Sequence, residues 1–142
     1  MPQILRDITE INRCGAQYRR ENLEPMGLKG CHASYLLEIC RSPGISQDAL
    51  ARRIYINKSN VTRQLTALEE GGFVLRKPSR EDKRILEIYP TEKTMELLPQ
   101  IRRMLCEWSD YLTAGLTEEE LTMASRVLFV MKSRAQSWFE EH

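Results

Sequence analysis

A mainly α (α+β) fold is what the sequence predicts, and three observations within residues 46–91 predict it. Two short helical patterns are joined by a turn of about three residues, a double glycine follows the second pattern, and two β-rich runs then bracket a charged loop. These elements, in this order, are those of a winged helix-turn-helix with a two-stranded wing. Amphipathic helical patterns continue on both sides of this block, so we expect long helices at the two ends of the chain.

The first predicted element is a helix near the N-terminus. Apolar residues recur at helical spacing from Ile4 to Tyr18, and the pattern continues to about Arg20 before Pro25 interrupts it. This segment lacks the apolar run of a signal peptide, and no stretch of about 18 apolar residues occurs anywhere in the chain. The sequence therefore predicts a soluble, cytoplasmic protein that makes no use of a membrane.

The first helix of the helix-turn-helix is predicted from about Gln47 to Arg53. Ser46 is a good N-cap before it, and Asp48 lies where the helix dipole favours a negative charge. Residues 54–56 then form a tight apolar corner, and Asn57 can cap the helix that follows. This is the spacing of a helix-turn-helix.

The second helix of the pair has one apolar and one polar face. Val61, Leu65 and Leu68 recur at i, i+4 and i+7, so they can be buried together. The opposite face carries short hydroxyls and one guanidinium, from Ser59, Thr62, Arg63 and Thr66. An ordinary solvated face would alternate Glu and Lys, whereas residues 57–68 contain no acidic residue. Slim polar side chains can reach base edges and phosphates in a major groove, so we favour DNA binding on this face over plain solvation.

The wing follows the glycines Gly71 and Gly72, which end the second helix because glycine adopts the left-handed conformation at little cost. Residues 73–75 and 85–89 are predicted strands. The loop between them is rich in basic residues: Arg76, Lys77, Arg80, Lys83 and Arg84. Arginine at such a tip can enter a minor groove, whose negative potential attracts it. Asp82 would repel phosphate, so we assign it to holding the guanidinium of Arg84; a mobile, solvated tip is the alternative.

Two further helices are predicted after the wing. Thr91 can cap a helix that runs through Leu112, and Thr117 forms a capping box with Glu120 at the start of a last helix that continues to Phe139. Three long amphipathic helices have few other elements to cover them. We therefore favour an intertwined homodimer over packing within one subunit.

Composition agrees with these predictions through the distribution of charge. The chain has 142 residues, 42% of them hydrophobic, which suffices for one domain with a core. Its net charge is only +1, but residues 41–84 carry 10 Lys and Arg against 5 Asp and Glu, which leaves 11 against 15 elsewhere. The local field of the basic block, present twice in a dimer, governs attraction to DNA.

The residues offer little material for catalysis, a cofactor or a metal site. Cys14, Cys31, Cys40 and Cys106 form no C-x-x-C pair, and the only histidines are His32 and His142. We therefore expect no cofactor, no structural zinc and no Ser-His-Asp or Cys-His catalytic set. An enzyme acting on nucleic acid is disfavoured because no carboxylate or histidine cluster adjoins the basic loop.

Residues 45–91 resemble the MarR family of bacterial and archaeal transcription regulators. The matching features are NKSNVTRQLTALEEGGFV, the wing motif Asp82-x-Arg84, and Leu86-x-Ile88-x-Pro90-Thr91, in order and at the family spacing. The close match covers about a third of the chain, and the rest agrees in layout, with one long helix before the block, a second such as Lys29 to Arg41 leading into it, and two long helices after it.

The resemblance implies a domain layout and a function. It implies one MarR-like domain over residues 1–142, with the winged DNA-binding part at 29–90 and dimerisation helices at 1–24 and 91–142. It also implies a sequence-specific, dimeric DNA-binding regulator, more often a repressor than an activator, that binds double-stranded DNA at a pseudo-palindromic operator.

The residues that carry this function follow from the same resemblance. Ser46 and Gln47 would open the supporting helix, Arg84 would be the minor-groove arginine with Asp82 as its orienting partner, and Arg80 and Lys83 would contact phosphates. The helix that enters the major groove would supply Asn57, Lys58, Ser59, Asn60, Thr62, Arg63 and Gln64. The family also implies a pocket for a small amphipathic or phenolic ligand that releases DNA. Candidates to line it are Tyr18, His32, Tyr35, Met104 and Trp108, although such residues on helices are more often core.

Two alternatives remain open from the sequence. A winged helix can serve as a protein-interaction module, in which case DNA binding would be weak and non-specific. Some relatives sense oxidants through a cysteine of the first helix, but Cys14 lies past that position and lacks its apolar-aromatic surroundings, so we favour reduced thiols.

Overall fold

The computed structural model describes residues 1–142 and confirms the mainly helical fold with a small antiparallel sheet. The elements in chain order are α1 (Gln3–Leu23), a 3-10 turn (Glu24–Met26), α2 (His32–Arg41), β1 (Ile45–Ser46), α3 (Gln47–Ile54), α4 (Lys58–Glu70), β2 (Val74–Pro78), β3 (Leu86–Pro90), α5 (Glu92–Thr113) and α6 (Glu118–Glu141). None of the helices is long and apolar enough to cross a membrane.

The chain forms two compact units, Met1–Cys106 and Glu107–His142. The winged helix-turn-helix lies within the first unit, together with α1 and most of α5. The predicted functional division into 1–24, 29–90 and 91–142 stays a prediction.

The core of the first unit is built from the apolar faces of α2, α3, α4 and the sheet. Val61, Leu65 and Leu68 of α4 are all buried, as their spacing predicted. They pack with the other buried apolar side chains of the unit, among them Leu23, Tyr35, Leu36, Ile39, Leu50, Phe73, Val74, Ile88 and Ile101. Burial of this face turns the opposite face of α4 outward.

The sheet has three strands in the order β1-β3-β2, one strand more than the sequence predicted. The two-residue strand β1 pairs with β3 through Ile45 opposite Ile88, a pairing too short to leave a pattern in the sequence. Strand β2 also runs further than the sequence predicts and includes Arg76 and Lys77, two residues of the predicted loop. Both are paired with β3 through their main chains, so their polar side chains do not end the strand.

Helix α6 of the second unit begins with the capping box that the sequence predicted. The Thr117 hydroxyl accepts from the Glu120 N–H, and the Glu120 carboxylate accepts from the Thr117 N–H. None of its 24 residues is buried. Its large exposed apolar side chains are Leu121, Met123, Val127, Leu128, Phe129, Val130, Trp138 and Phe139.

Candidate nucleic-acid interface

Two side-chain caps set the helix-turn-helix. The Ser46 hydroxyl accepts from the Ala49 N–H (3.1 Å), and the Asn57 Oδ1 accepts from the Asn60 N–H (2.8 Å), so both predicted N-caps are confirmed. Tyr55 ends α3 in the left-handed conformation, with φ 56°, and is 54% exposed rather than part of an apolar corner. The main chain there turns sharply enough to bring α4 across α3.

The outward face of α4 is exposed at Ser59, Thr62 and Arg63. The Thr62 hydroxyl donates to the Lys58 carbonyl oxygen (2.9 Å), and the Thr66 hydroxyl donates in the same way to the Thr62 carbonyl oxygen (2.9 Å). With their protons used inside the helix, these hydroxyls can act only as acceptors, and each also accepts from a side chain of α3 or β2. The exposed Lys58 ammonium lies 3.4 Å from a carboxylate oxygen of Asp48 on α3.

Arg76 braces α4 against the wing and α3, a role that the sequence did not reveal. Its side chain is 14% exposed, and its guanidinium donates to Glu69 Oε1 (3.1 Å), Thr66 Oγ1 (3.1 Å) and Gln47 Oε1 (3.2 Å). Its hydrogen bonds lower the pKa of the Glu69 carboxyl. The missed signal was strand alternation, which places Arg76 on the same side of β2 as the buried Val74.

Gln47 is consequently held from two sides. Its Oε1 accepts from Arg76, and its Nε2 donates to Thr62 Oγ1 (3.2 Å). This predicted DNA-binding residue therefore joins α3, α4 and β2 into one surface.

The wing tip carries an exposed arginine on a fixed carboxylate. Arg84 donates from Nε to Asp82 Oδ1 (3.1 Å) and from Nη2 to Asp82 Oδ2 (3.2 Å), while its main-chain N–H donates to Oδ1 (3.0 Å). The contact that the sequence predicted between these residues is thus confirmed. The Arg84 side chain is 91% exposed, and Arg80 and Lys83 are exposed beside it. The hydrogen bonds from Arg84 lower the pKa of Asp82, so the carboxylate stays charged at neutral pH.

A groove of about 350 Å³ connects the helix-turn-helix with the wing. Its walls come from β1, α3, the end of the wing loop and the start of β3: Ser46, Gln47, Asp48, Arg52, Arg84, Ile85 and Leu86. Three of the predicted DNA contacts, Ser46 and Gln47 of the helix-turn-helix and Arg84 of the wing, therefore line one groove.

Gln64 lies at the flank of α4 rather than on its outward face. Its side chain is half-buried, and its Oε1 lies 2.9 Å from Nε2 of His32, at the start of α2. Asn60, one turn earlier, is also half-buried, and its Oδ1 accepts from Arg63 Nη2 (3.2 Å).

The predicted ligand-pocket residues of the first unit lie in its core or at the edge of the core. Tyr35, His32 and Met104 are buried, and the hydroxyl of half-buried Tyr18 donates to the Met104 carbonyl oxygen (3.0 Å). The Tyr35 hydroxyl is buried with no hydrogen-bond partner, and burial raises its pKa to about 12. Trp108 belongs to the second unit, where it stacks on Tyr111 with ring centroids 6.2 Å apart. The pocket stays a prediction.

The four cysteines are free thiols, and no three His, Cys, Asp or Glu side chains are grouped in a way that could hold a metal ion. Cys14 is exposed on α1.

Residues 32–86 match the sequence pattern of the MarR family. Over 139 residues, covering 97% of this chain and 93% of the relative, the sequence is 30% identical to an uncharacterized HTH-type transcriptional regulator, YybA, from Bacillus subtilis (strain 168). The crystal structure of the transcriptional regulator SlyA superposes with a TM-score of 0.94 at 29% identity, covering 98% of both chains. A MarR family regulator from Listeria monocytogenes, crystallised with a 26mer DNA, superposes with a TM-score of 0.90 at 28% identity, covering 96% of this chain and 91% of the other.

Proposed function

Because the chain belongs to the MarR family of DNA-binding transcriptional regulators, whose members are not enzymes, we propose that it is a cytoplasmic, sequence-specific repressor that binds a pseudo-palindromic operator as a homodimer. The main support for this proposal is the connection between α4 and the wing. Gln47 lines the groove beside the exposed, carboxylate-held Arg84 of the wing and also donates to Thr62 on the acid-free outward face of α4. The DNA complex of the Listeria monocytogenes regulator supports a duplex as the partner of that surface.

The two parts of the surface suit the two grooves of DNA. A B-form major groove admits one helix, and α4 presents Arg63 with short hydroxyls that leave room for the backbone to approach. The minor groove is narrower and more negative, and it favours a single arginine such as Arg84 at a hairpin tip. Arg80 and Lys83, both exposed, would contact phosphates, which position the protein without reading sequence.

A second copy of the chain is the proposed cover for α6. Helix α6 has 24 residues, none of them buried, and eight large apolar side chains that are exposed. An exposed apolar surface of this kind marks a site of association with another protein surface. Helix α1, in the first unit, also has exposed apolar side chains: Ile4, Leu5, Ile8 and Ile11. A symmetric pair would place two α4 helices about one helical turn of DNA apart, which is roughly 10 base pairs.

Release of DNA by a small amphipathic or phenolic ligand is part of the proposal. The buried, unpartnered hydroxyl of Tyr35 supports it, because such groups usually have a partner and a ligand could supply one. A ligand that favours a dimer with unsuitable spacing of its two α4 helices would shift the population away from the DNA-binding form.

Arg63→Ala tests sequence reading by α4. We expect about 1–3 kcal/mol less discrimination between the selected operator and a scrambled duplex, because a bidentate arginine contact to a base is lost. Fluorescence anisotropy over a range of salt concentrations measures both affinities. Arg103→Ala, which removes the same charge from an exposed position of α5, is the control and should change neither. Equal losses on both duplexes would make Arg63 a phosphate contact, and equal, weak binding of both duplexes by the unmodified protein would favour a protein-interaction module.

A further inference from the structure

A hydrogen-bonded chain of side chains runs from the core to the DNA-facing end of α4. His32, at the start of α2, is only 3% exposed. Its Nδ1 lies 3.0 Å from the main-chain nitrogen of Lys29, and its Nε2 lies 2.9 Å from Gln64 Oε1. Gln64 Nε2 in turn lies 3.4 Å from Asn60 Oδ1. Hydrogen bonds thus connect four residues, from the main chain of Lys29 through His32 and Gln64 to the side chain of Asn60.

The first contact fixes the tautomer of His32. A main-chain N–H can only donate, so the Nδ1 that faces the Lys29 nitrogen must be the unprotonated acceptor. The ring proton of the neutral imidazole is then on Nε2, which donates to Gln64 Oε1. Burial lowers the pKa of His32, and this keeps the ring neutral under ordinary conditions.

The donor role of His32 determines which atom of the Asn60 amide accepts a hydrogen bond. Because Gln64 Oε1 accepts from His32, the Gln64 amide nitrogen is the group left to face Asn60, and only an oxygen can accept from it. Asn60 Oδ1 also accepts from Arg63 Nη2 at 3.2 Å. The oxygen of the Asn60 amide therefore carries two donors, whereas its nitrogen has no acceptor within the chain.

The main chain around Asn60 is fixed as well. Its N–H donates to the capping Asn57 Oδ1 at 2.8 Å, which holds Asn60 in the first turn of α4. The first turn of such a helix is the part that approaches base edges in a major groove. Asn60 is half-buried, and the amide nitrogen is the polar atom of its side chain that stays available to a partner outside the protein.

We propose that His32, acting through Gln64, is a positioning residue that fixes Asn60 as a hydrogen-bond donor toward DNA, so that Asn60 selects guanine at one operator position. The inference rests on the proposed function. Guanine offers two acceptors, N7 and O6, in the major groove. Adenine is usually read by asparagine through both atoms of the amide, and this requires an oxygen free to accept from N6. Here that oxygen is already occupied, which disfavours adenine.

Gln64→Glu tests the donor and acceptor roles in this series of hydrogen bonds, with a side chain of nearly the same size. A carboxylate still accepts from His32, but it has no proton to donate to Asn60. The Asn60 amide should then rotate to donate to Glu at position 64, which turns its oxygen toward the DNA. We expect the guanine preference at the Asn60 position to fall at least about fivefold and to move toward a base that offers a donor, adenine or cytosine.

Selection of bound duplexes from a random pool measures this base preference. Asn60→Ala first identifies the position, because its variant should lose preference at one base pair of each half-site and keep the others. His32→Leu should lose the guanine preference at that position, whereas His32→Gln, which retains a donor to Gln64, should keep most of it. Melting temperature and affinity for a scrambled duplex show whether each variant is folded.

The outcomes separate the inference from the proposed function. If the unmodified protein selects no sequence at all, the proposed function is wrong. If it selects an operator but Asn60→Ala alters no position, or Gln64→Glu leaves the guanine preference intact, the operator function stands and the positioning role of His32 is wrong. A general loss of affinity that is equal at all positions also contradicts the inference, since it reflects only charge or stability.

Discussion

Replacing Leu128 by glutamate is expected to convert the protein from a dimer to a monomer and to lower operator affinity at least about 100-fold. Leu128 is 57% exposed on α6, within the apolar surface that we propose a second copy covers. In a symmetric dimer the introduced carboxylate appears twice at the interface, where an unpaired buried charge is strongly unfavourable. The affinity falls because one subunit then binds each half-site without help from the other.

Thr122→Glu is the matched control for this prediction. By helical spacing, the exposed Thr122 lies on the opposite side of α6 from most of its apolar residues, so the same charge should leave the dimer intact. Sedimentation equilibrium gives the mass of each variant, and titration of full-operator and half-site duplexes gives the coupling between subunits. A Leu128→Glu protein that remains dimeric would show that α6 does not form the interface.

Arg84→Ala has the second largest expected effect. Loss of the guanidinium from the wing should weaken operator binding by about 2 kcal/mol, roughly 30-fold, because a hydrogen bond from a charged group is removed in both subunits. The mass of the dimer and its melting temperature should be unchanged, since the Arg84 side chain is 91% exposed and its hydrogen bonds are made to Asp82. Anisotropy titration at moderate salt measures the loss. An operator affinity equal to that of the unmodified protein would show that Arg84 of the wing does not contact DNA.

Two companion variants define how Arg84 acts. Asp82→Ala keeps the guanidinium of Arg84 but removes the carboxylate that orients it. Operator affinity should therefore fall, but less than it does in Arg84→Ala. Lys83→Ala removes a neighbouring charge and should weaken operator and scrambled duplexes equally, as a phosphate contact does. A larger effect for Lys83→Ala than for Arg84→Ala would mean that the wing supplies charge alone.

The sequence predicted the parts of this fold that depend on neighbouring residues. The caps Ser46 and Asn57 bond to main-chain groups three residues away, and Asp82 reaches Arg84 two residues away. Such contacts form within one turn, so residue type and spacing determine them. The apolar face of α4 was predicted for the same reason, since helical period alone aligns its members.

Contacts between distant segments were not predicted. Arg76 meets Gln47 across 29 positions of sequence, and His32 meets Gln64 across 32. No local pattern contains such pairs, because the first joins β2 to α3 and the second joins α2 to α4. These are also the contacts that fix donor and acceptor directions on α4, so the sequence could name residues on the surface but not the groups that they present.

Selection from a random duplex pool is the most direct test of the claim that two copies of one surface, formed by α4 and the wing, read adjacent major and minor grooves. We expect an inverted repeat whose half-sites are centred about 10 base pairs apart, bound by two subunits. Recovery of no preferred sequence, or of a single unrepeated site bound by one subunit, would contradict it.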